Sequence, residues 1–461
     1  MTSFRAARVL LQSRDAVKWR PRDADVLERN TDAVEDFYLH QGSHNVRIGR
    51  RRLDLTVMVK LRTDPGFDIS VEQTRAAWIA LRRRHPAIAT YTKGSKRIYQ
   101  KLQPGQIKRW LNKTLVVIVD QGELTPEVLD SLPAADMPAL HFLPRSKVFA
   151  LRTPQHLMDA LGAVMVLNHF LDELSKTAVE PTDMDNDVIE EQPDNLACCL
   201  KAAASLPSAS IPQRARLWNI RRRWLRNYPS VGIVPDQDGS ESGLSSWREL
   251  KYSASATKEL VAKAKKHKMT VTHVVHAGVA FAAKEYGPFT LTRNYNSVIV
   301  VDMRPREASS QDTAVSPKHT LWPISVTVTS FWKTAESVKK AYQDVLSDPD
   351  LPALVEPIFA EVFPPSPSAC PTFYNAPFVG SCGCIEDCLG PLYRGFTVDD
   401  FSLATECSGK EVIVAVWSYQ GRLRIRAMFN EGYHSAKSIE RYLHLTEVAL
   451  KNGLGVSTTG D

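Results

Sequence analysis

Strand-like and helix-like segments alternate in both halves of the chain, and no other feature of the sequence constrains the fold as strongly. Apolar residues at every second position from Leu53 to Leu61 indicate a half-buried strand. Ser70 and Gln73 then form a capping-box pattern at the start of a helix that ends before Pro86. In the second half, Gln420-Gly421 separates two apolar runs, which is typical of a β-hairpin. Strands interleaved with helices twice over predict the α/β class.

The other predicted elements extend this alternation and divide the chain near its middle. Strands are predicted over 115–119, 142–151, 297–301 and 324–328, a hairpin over 412–417 and 422–429, and helices over 162–174, from 253, and over 269–286, 335–346 and 438–450. Residues 178–213 change from acidic to Ala/Ser-rich sequence that ends at Pro212. Such a shift is typical of a boundary, so an N-terminal lobe of residues 1–212 and a C-terminal lobe of residues 213–461 are predicted.

The composition is that of an ordinary globular protein, because 43% hydrophobic and 24% charged residues can build a sizeable core. No run of about 18 apolar residues is present, so no membrane span is predicted. The net charge of +7 is modest for 461 residues. The basic runs at 50–52, 82–84 and 221–223 are interpreted as solvated helix faces, with a site for an anionic ligand as the alternative. No nucleic-acid motif is found, so nucleic-acid binding is not expected.

Seven cysteines, an odd number in a long chain, argue against a disulfide framework and for a reducing compartment. A cytoplasmic protein is therefore expected. The spacing of Cys382, Cys384, Cys388 and Cys407 differs from the paired spacing of zinc sites, and no histidine lies close to them in sequence. These residues are interpreted as free thiols, and no metal site is predicted.

The segment Leu151–Gly162 holds the residues best suited to chemistry. A strand-like approach enters a turn at Thr153-Pro154, and the chain then presents Gln155, His156 and Asp159 before an apolar run. Histidine suits proton transfer because its unperturbed pKa lies near neutrality. Taken alone, however, His156 also fits a buried structural histidine, and Asp159 fits a helix N-cap.

Four segments in this order resemble the chloramphenicol-acetyltransferase-like superfamily, which includes peptide-synthetase condensation domains and trichothecene-type O-acetyltransferases. They are the helix that ends in His85-Pro86, the Gln155–Gly162 segment, Asp302-Met-Arg304-Pro305, and the Val379–Gly383 strand with the hairpin over 417–433. The resemblance covers roughly residues 50 to 450. The branch of fungal secondary metabolism fits best, through the segments 319–323 and 421–431.

The resemblance implies two similar lobes, each a mixed β-sheet with helices, with an active-site tunnel between them. It implies an acyltransferase of natural-product biosynthesis that moves an acyl group from a CoA thioester to a hydroxyl or amine of a small molecule. Acyl-CoA would then be a co-substrate, and no bound cofactor is expected. A monomer is expected because two fused lobes already form the cleft.

The resemblance also implies roles for individual residues. In the family a neutral histidine removes the proton of the acceptor as it attacks the thioester, which is worth about 10²–10⁴-fold in rate. The aspartate of the motif holds the loop, usually through an arginine, and Arg304 is the expected partner of Asp159. Ser381 is the candidate for stabilising the oxyanion. His319 and Trp322 are expected to bind substrate in the tunnel.

The register of the motif departs from the family pattern, in which the histidine lies four residues before the aspartate. That position is Gln155 here, whereas His156 lies three residues before Asp159. With Gln155 at the base position acyl transfer loses its base, because an amide cannot take up a proton near neutral pH. If the loop is one residue shorter, His156 still reaches the tunnel. Because a one-residue shift normally reverses the face of a side chain, the Gln155 register is favoured.

Two other functions remain open from the sequence. A diverged family member that has lost acyl transfer would act as a cyclase, pericyclase or isomerase on an apolar intermediate. Gln155, His156 or His319 would then donate hydrogen bonds to a carbonyl. A non-catalytic binding protein would use the same kind of aromatic-lined pocket. Acyl transfer is favoured because most chains of this build are acyltransferases, which is an argument from fold alone.

Overall fold

The computed structural model describes residues 14–42, 53–103, 105–132, 136–176, 195–239, 243–287, 292–307, 314–363 and 376–455. The arginine run at 50–52 and the acidic part of the predicted boundary, 183–194, lie outside these residues. Within the described ranges, no helix combines the length and the hydropathy needed to cross a membrane.

Twelve α-helices are formed by the described residues. They are α1 (Ala33–Gly42), α2 (Val71–Arg84), α3 (Ile107–Thr114), α4 (Pro126–Ser131), α5 (Ala160–Lys176), α6 (Leu200–Ala203), α7 (Ile211–Arg226), α8 (Ala254–Lys266), α9 (Val271–Tyr286), α10 (Phe331–Leu346), α11 (Leu351–Pro357) and α12 (Ala436–Leu454). The predicted capping box at the start of α2 is confirmed. The Gln73 N–H donates to Ser70 Oγ (3.0 Å), and the Ser70 N–H donates to Gln73 Oε1 (2.9 Å).

Sixteen strands of the described residues form three sheets. They are β1 (Arg20–Pro21), β2 (Val26–Asn30), β3 (Leu55–Thr63), β4 (Thr90–Lys93), β5 (Lys96–Gln100), β6 (Leu115–Val117), β7 (Ala139–Leu143), β8 (Val148–Thr153), β9 (Ser245–Lys251), β10 (Asn294–Asp302), β11 (His319–Thr327), β12 (Phe378–Cys384), β13 (Leu392–Tyr393), β14 (Phe396–Thr405), β15 (Ile413–Tyr419) and β16 (Arg422–Asn430). The first large sheet has the order β13-β14-β3-β8-β7-β6, the second has the order β11-β10-β12-β15-β16-β9, and a small third sheet has the order β1-β2-β5-β4.

Both large sheets are mixed, which confirms the α/β prediction. In the first sheet β6 runs parallel to β7, and in the second β12 runs parallel to β15, while β3 and β16 have antiparallel neighbours. Two strands from the second half of the chain, β13 and β14, lie in the first sheet, where β14 pairs with β3, with Leu403 opposite Val57. The strands before and after these two, β12 and β15, belong to the second sheet. The lobe boundary at 212 stays a prediction, and β14 belongs to the first sheet although it follows that boundary.

One buried apolar cluster joins the two large sheets. It contains Leu55 of β3 and Leu403 of β14 together with Ile413 of β15 and Met428 of β16. The inner faces of the sheets therefore meet at these strands, and the functional cavity lies beside this contact.

Three local predictions need correction. The single strand predicted over 142–151 is the hairpin β7–β8, with a turn at 144–147 that includes Lys147 in the left-handed region (φ 54°). The strand predicted to be buried over 115–119 ends at Val117, and Val119 is 55% exposed. Strand β3 is buried on both faces over Leu55–Val59, where Met58 is only 6% exposed, and the expected alternation holds only at its end, where Lys60 and Arg62 are exposed.

The predicted hairpin turn at Gln420-Gly421 is confirmed. Both residues have positive φ angles, 48° and 68°, as the tight turn between β15 and β16 requires. Helix α12 follows this hairpin and packs against α9, which carries the buried His276.

We expect the buried imidazole of His276 to make the fold sensitive to acid. Burial lowers the pKa of His276 to about 3, whereas an unfolded histidine titrates near 6.5. The unfolded chain therefore binds a proton first, and stability is lost progressively as the pH falls from about 6.5 towards 3, by about 1.4 kcal/mol per pH unit. Thermal unfolding of His276→Gln between pH 6.5 and 4 should show a smaller loss than the unchanged protein. His444→Gln is the control, because His444 lies exposed on α12; an equal slope for both variants would contradict the prediction.

Candidate active site

The loop between β8 and α5 carries the motif residues at the junction of the two large sheets. It begins with a turn in which the Leu157 N–H donates to the Pro154 carbonyl (2.9 Å). Asp159 immediately precedes α5, and its Oδ1 accepts the Gly162 N–H at 2.8 Å. Asp159 is therefore the N-cap of this helix, which fixes the position of its carboxylate.

Gln155 and His156 point to opposite sides of this loop. Gln155 lies on the cavity wall. His156 is only 2% exposed, and its Nε2 is hydrogen bonded to Thr92 Oγ1 of β4 at 2.8 Å, away from the cavity. The structure does not bring His156 to the cavity, so its assignment as a catalytic residue is corrected. The physical reason is that neighbouring side chains on an extended or turning backbone face opposite ways, so Gln155 and His156 cannot both reach the cavity.

A cavity of about 250 Å³ lies between the two large sheets and opens beside this loop. Most of its wall is apolar, with side chains from both sheets and from α1, among them Phe37, Leu55, Val300, Leu403, Ile413 and Met428. Its polar wall residues include Tyr38, Gln155, Asp159, Arg304, His319 and Ser381. An apolar cavity with a few convergent polar groups is the usual form of a small-molecule site.

The Asp159 carboxylate organises the polar wall. Besides the Gly162 N–H, its Oδ1 accepts from Arg304 Nη2 at 2.7 Å. Its Oδ2 accepts the Lys318 N–H at 2.7 Å and lies 3.4 Å from His319 Nδ1. Burial alone would favour the neutral acid, but the charge of Arg304 and the contact with His319 hold the pKa of Asp159 well below its usual range. Asp159 is therefore ionised at neutral pH.

His319 and Tyr38 extend this network into the cavity. The other ring nitrogen of His319, Nε2, lies 2.6 Å from Tyr38 Oη. Both side chains belong to residues that are only 5% exposed, and both reach the cavity wall. Burial, with a contribution from the charge of Asp159, raises the pKa of Tyr38 well above its usual range, so its phenol is neutral. Asp159, His319 and Tyr38 thus form a chain of polar contacts that ends at the cavity.

The structure brings together most of the other residues singled out in the sequence. Arg304 pairs with Asp159 as expected, and its Nη1 also lies 3.1 Å from Asp302 Oδ1. Ser381 lies on the cavity wall with its Oγ 2.9 Å from Thr272 Oγ1.

Trp322 does not line the cavity, and its assignment to substrate binding is corrected. His319 and Leu321 of β11 are on the wall, whereas Trp322 is not among the wall residues and is 7% exposed in an apolar cluster that includes Val338 of α10. The cause is the alternation of side chains along a strand, which sends Trp322 to the opposite face from Leu321.

Tyr38 is the functional residue that the sequence analysis missed. It lies on α1, before the part of the chain that the family resemblance covers, and 281 residues from its partner His319. The adjacent aromatic residues Phe37 and Tyr38 are a weak signal for an apolar helix face. Nothing in their spacing indicates chemistry.

In the part of the chain that the structure describes, no three or more His, Cys, Asp or Glu side chains are grouped so that they could hold a metal ion. The cysteines Cys382, Cys384 and Cys388 are free thiols, and Cys407 is buried. Cys382 lies on the cavity wall, and burial, with the nearby charge of Asp159, raises the pKa of its thiol to about 12. This thiol is therefore protonated and is a poor nucleophile.

The first turn of α5 packs so closely on the second lobe that a methyl group cannot be added there. A Cβ at Gly162 would collide with the carbonyl oxygen of Ala314. Ala314 lies in the segment that leads into β11, five residues before His319. We expect Gly162→Ala to cost about 1–3 kcal/mol of the free energy of unfolding and to lower activity as β11 shifts. Urea unfolding measures the first effect. Gly122→Ala is the matched control, because a Cβ there meets nothing within 4 Å; equal losses in both variants would refute the packing argument.

Comparison with known proteins agrees with this architecture. No family model matches the sequence. The O-acetyltransferase pigM of Monascus ruber is 22% identical over 459 residues, covering 94% of this chain and 87% of the relative. The TRI3 trichothecene 15-O-acetyltransferase of Fusarium sporotrichioides superimposes with a TM-score of 0.81 at 15% identity, covering 95% of this chain and 98% of that one. The chain has the chloramphenicol-acetyltransferase-like fold.

The same fold relates the chain to peptide-synthetase domains. The first condensation domain of the CDA synthetase superimposes with a TM-score of 0.57 at 15% identity, covering 94% of this chain and 98% of that one. The resemblance proposed from sequence is thereby confirmed for the chloramphenicol-acetyltransferase-like fold with its two lobes. In this chain the cavity between the lobes has Gln155, rather than a histidine, four residues before Asp159.

Proposed function

We propose that the protein is an O-acyltransferase of natural-product metabolism, which moves an acyl group from a CoA thioester to a hydroxyl of a small apolar molecule. The observation that carries the proposal is the polar cluster around Asp159, which opens into an apolar cavity between the two sheets of an acyltransferase fold. Its relatives include proteins named as acetyltransferases, which supports acetyl as the group transferred.

The cavity wall supports an acceptor with a mostly hydrocarbon surface. Its side chains include Leu55, Val298, Ile413 and Met428, which offer dispersion contacts and no hydrogen bonds. The volume, about 250 Å³, lies just below the usual range for small-molecule sites, which favours a small acceptor. An acceptor of a few fused rings with one reactive hydroxyl directed at Asp159 and His319 suits this shape.

Ser381 is suited to stabilise the negative charge that develops on the thioester carbonyl oxygen. Its hydroxyl lies on the cavity wall and is hydrogen bonded to Thr272 Oγ1, close to the N-terminus of α9. A positioned hydroxyl donor of this kind lowers the barrier because it is already oriented before charge forms. Ser381→Ala should therefore lower kcat more than it raises KM.

The test uses the purified full chain with acetyl-CoA, propionyl-CoA and a panel of hydroxylated fused-ring compounds. Mass spectrometry follows the acylated product and free CoA together. Formation of both in equal amounts, dependent on acceptor, supports acyl transfer. Conversion of an acceptor without any thioester would instead indicate the cyclase or isomerase activity that the fold also allows, and would overturn the proposal. Matched reactions with primary amines decide whether nitrogen is also acylated.

A further inference from the structure

The chain lacks a histidine at the position where the resemblance expects the base, yet a histidine faces the same cavity from the other lobe. Gln155 occupies the wall beside Asp159, and His156 is turned towards Thr92. Among the described residues that line the cavity, His319 is the one histidine. It comes from the start of β11, 160 residues after Asp159.

The contacts of His319 determine which of its nitrogens carries the proton. Asp159 is ionised and can only accept, so the Nδ1 that faces its Oδ2 at 3.4 Å is assigned as the N–H. In the neutral form of the ring Nε2 then holds the lone pair and accepts the hydrogen bond of the Tyr38 hydroxyl, whose oxygen lies 2.6 Å away. This tautomer is oriented by a carboxylate, and its basic nitrogen faces the hydroxyl of Tyr38, which lines the cavity.

The hydroxyl of Tyr38 is hydrogen bonded to the basic nitrogen of His319. The imidazole nitrogen has a single in-plane lone pair, so an acceptor hydroxyl reaches Nε2 directly only if Tyr38 moves away. Tyr38 is held on α1, and its ring packs edge-on against the ring of His319 with centroids 5.4 Å apart. A transfer through the Tyr38 hydroxyl needs no such movement, because this oxygen already contacts Nε2 and Tyr38 lines the cavity.

We propose that His319 is the general base of the acyl transfer, that Asp159 orients it, and that the acceptor proton reaches it through the hydroxyl of Tyr38. This assignment rests on the proposed acyltransferase function. The base is then on β11 and not on the loop after β8. Asp159 of the motif keeps a role, because its carboxylate orients the imidazole of His319.

The step balances without any further reactant. The acceptor oxygen forms a bond to the thioester carbonyl carbon while its proton passes to Tyr38 Oη and the Tyr38 proton passes to His319 Nε2. Asp159 stabilises the imidazolium that forms. Collapse of the tetrahedral intermediate breaks the carbon–sulfur bond, and the leaving thiolate takes a proton back from His319 along the same path. Tyr38 both gives and receives a proton in each transfer, so it is never left as a phenolate.

The experiment measures kcat and KM for the unchanged protein and for His319→Ala, His319→Gln, Tyr38→Phe and His444→Ala, with circular dichroism and thermal unfolding on each. We expect both His319 variants to lose about 10²–10⁴-fold in kcat with little change in KM. Added imidazole should restore part of the activity of His319→Ala, where it can occupy the space left by the ring, and none of the activity of His319→Gln. Tyr38→Phe, which keeps the ring and removes only the hydroxyl, should also lose kcat.

The controls separate this inference from the proposed function. His444→Ala removes an exposed histidine on α12, so it should keep the kcat of the unchanged protein. If the unchanged protein forms product and a folded His319→Gln has the same kcat, His319 is not the general base, while the proposed acyl transfer is supported. Full activity of Tyr38→Phe would overturn the relay. An unchanged protein that forms no acylated product with any acceptor would overturn the acyltransferase function, and the base with it.

Discussion

Replacement of Asp159 by asparagine is expected to lower kcat by about 10²–10⁴-fold while the protein remains folded. The asparagine amide presents a donor on one side, whereas all four groups around Asp159 donate to it. Turned towards His319, that donor forces the proton of the imidazole onto Nε2, so the nitrogen that must accept a proton is already occupied. Turned towards Arg304, it leaves a largely buried guanidinium without its charged partner, and the ring of His319 is no longer held.

Steady-state kinetics with an acceptor from the panel that the unchanged protein acylates measures this loss, and urea unfolding separates it from instability. Asp172→Asn is the matched control. It makes the same chemical change on the same helix, but Asp172 lies at the surface and pairs with Arg84 and Lys176. Removal of a surface pair of this kind costs only about 0–1 kcal/mol. Equal kcat values for the two asparagine variants would show that the charge of Asp159 takes no part in the reaction.

The parts of this site that could be predicted from sequence are those set by short-range patterns. The capping box at Ser70 and the turn at Gln420-Gly421 depend on residues within four positions of one another, so backbone geometry dictates them. The position of Gln155 on the cavity wall and of His156 on the opposite side, against Thr92, follows from the alternation of neighbouring side chains. Arg304 was found through a resemblance of residue order, and it pairs with Asp159 in the structure.

The parts that could not be predicted depend on contacts between distant segments. His319 and Tyr38 meet across 281 residues, and no periodicity links α1 to β11. The face of Trp322 was also beyond the sequence, because residues 319–324 of β11 are all buried. A strand covered on both faces has no apolar–polar alternation from which its direction can be inferred.

The geometry of Tyr38 and His319 depends on a buried ion cluster behind the cavity. Glu35 of α1 accepts two hydrogen bonds from Arg29 at 2.6 Å and one from Arg97 at 3.1 Å. Arg97 of β5 also donates to the Val315 carbonyl at 3.1 Å, on the approach to β11. The same carboxylate therefore holds the helix that carries Tyr38 and, through Arg97, the segment that leads to His319.

Replacement of Glu35 by glutamine is expected to lower the free energy of unfolding by about 3–5 kcal/mol, because it leaves two buried guanidinium groups without their anion. The side chains of Glu35, Arg29 and Arg97 are at most 1% exposed, so water cannot replace the lost charge. Burial opposes ionisation of Glu35, but the two arginines lower its pKa to about 2, which shows the direction of their attraction. Urea unfolding at pH 7 measures the loss.

Activity gives a second measurement of the same change. Once α1 loosens, Tyr38 is no longer held against His319, so kcat of Glu35→Gln should fall even where the protein remains folded. Glu72→Gln is the matched control, since Glu72 is 70% exposed and lies 3.5 Å from Arg75 on the surface of α2. Its loss should stay within about 0.5 kcal/mol with unchanged kcat. A Glu35→Gln protein as stable as this control would mean that the buried cluster does not hold the Tyr38 helix in place.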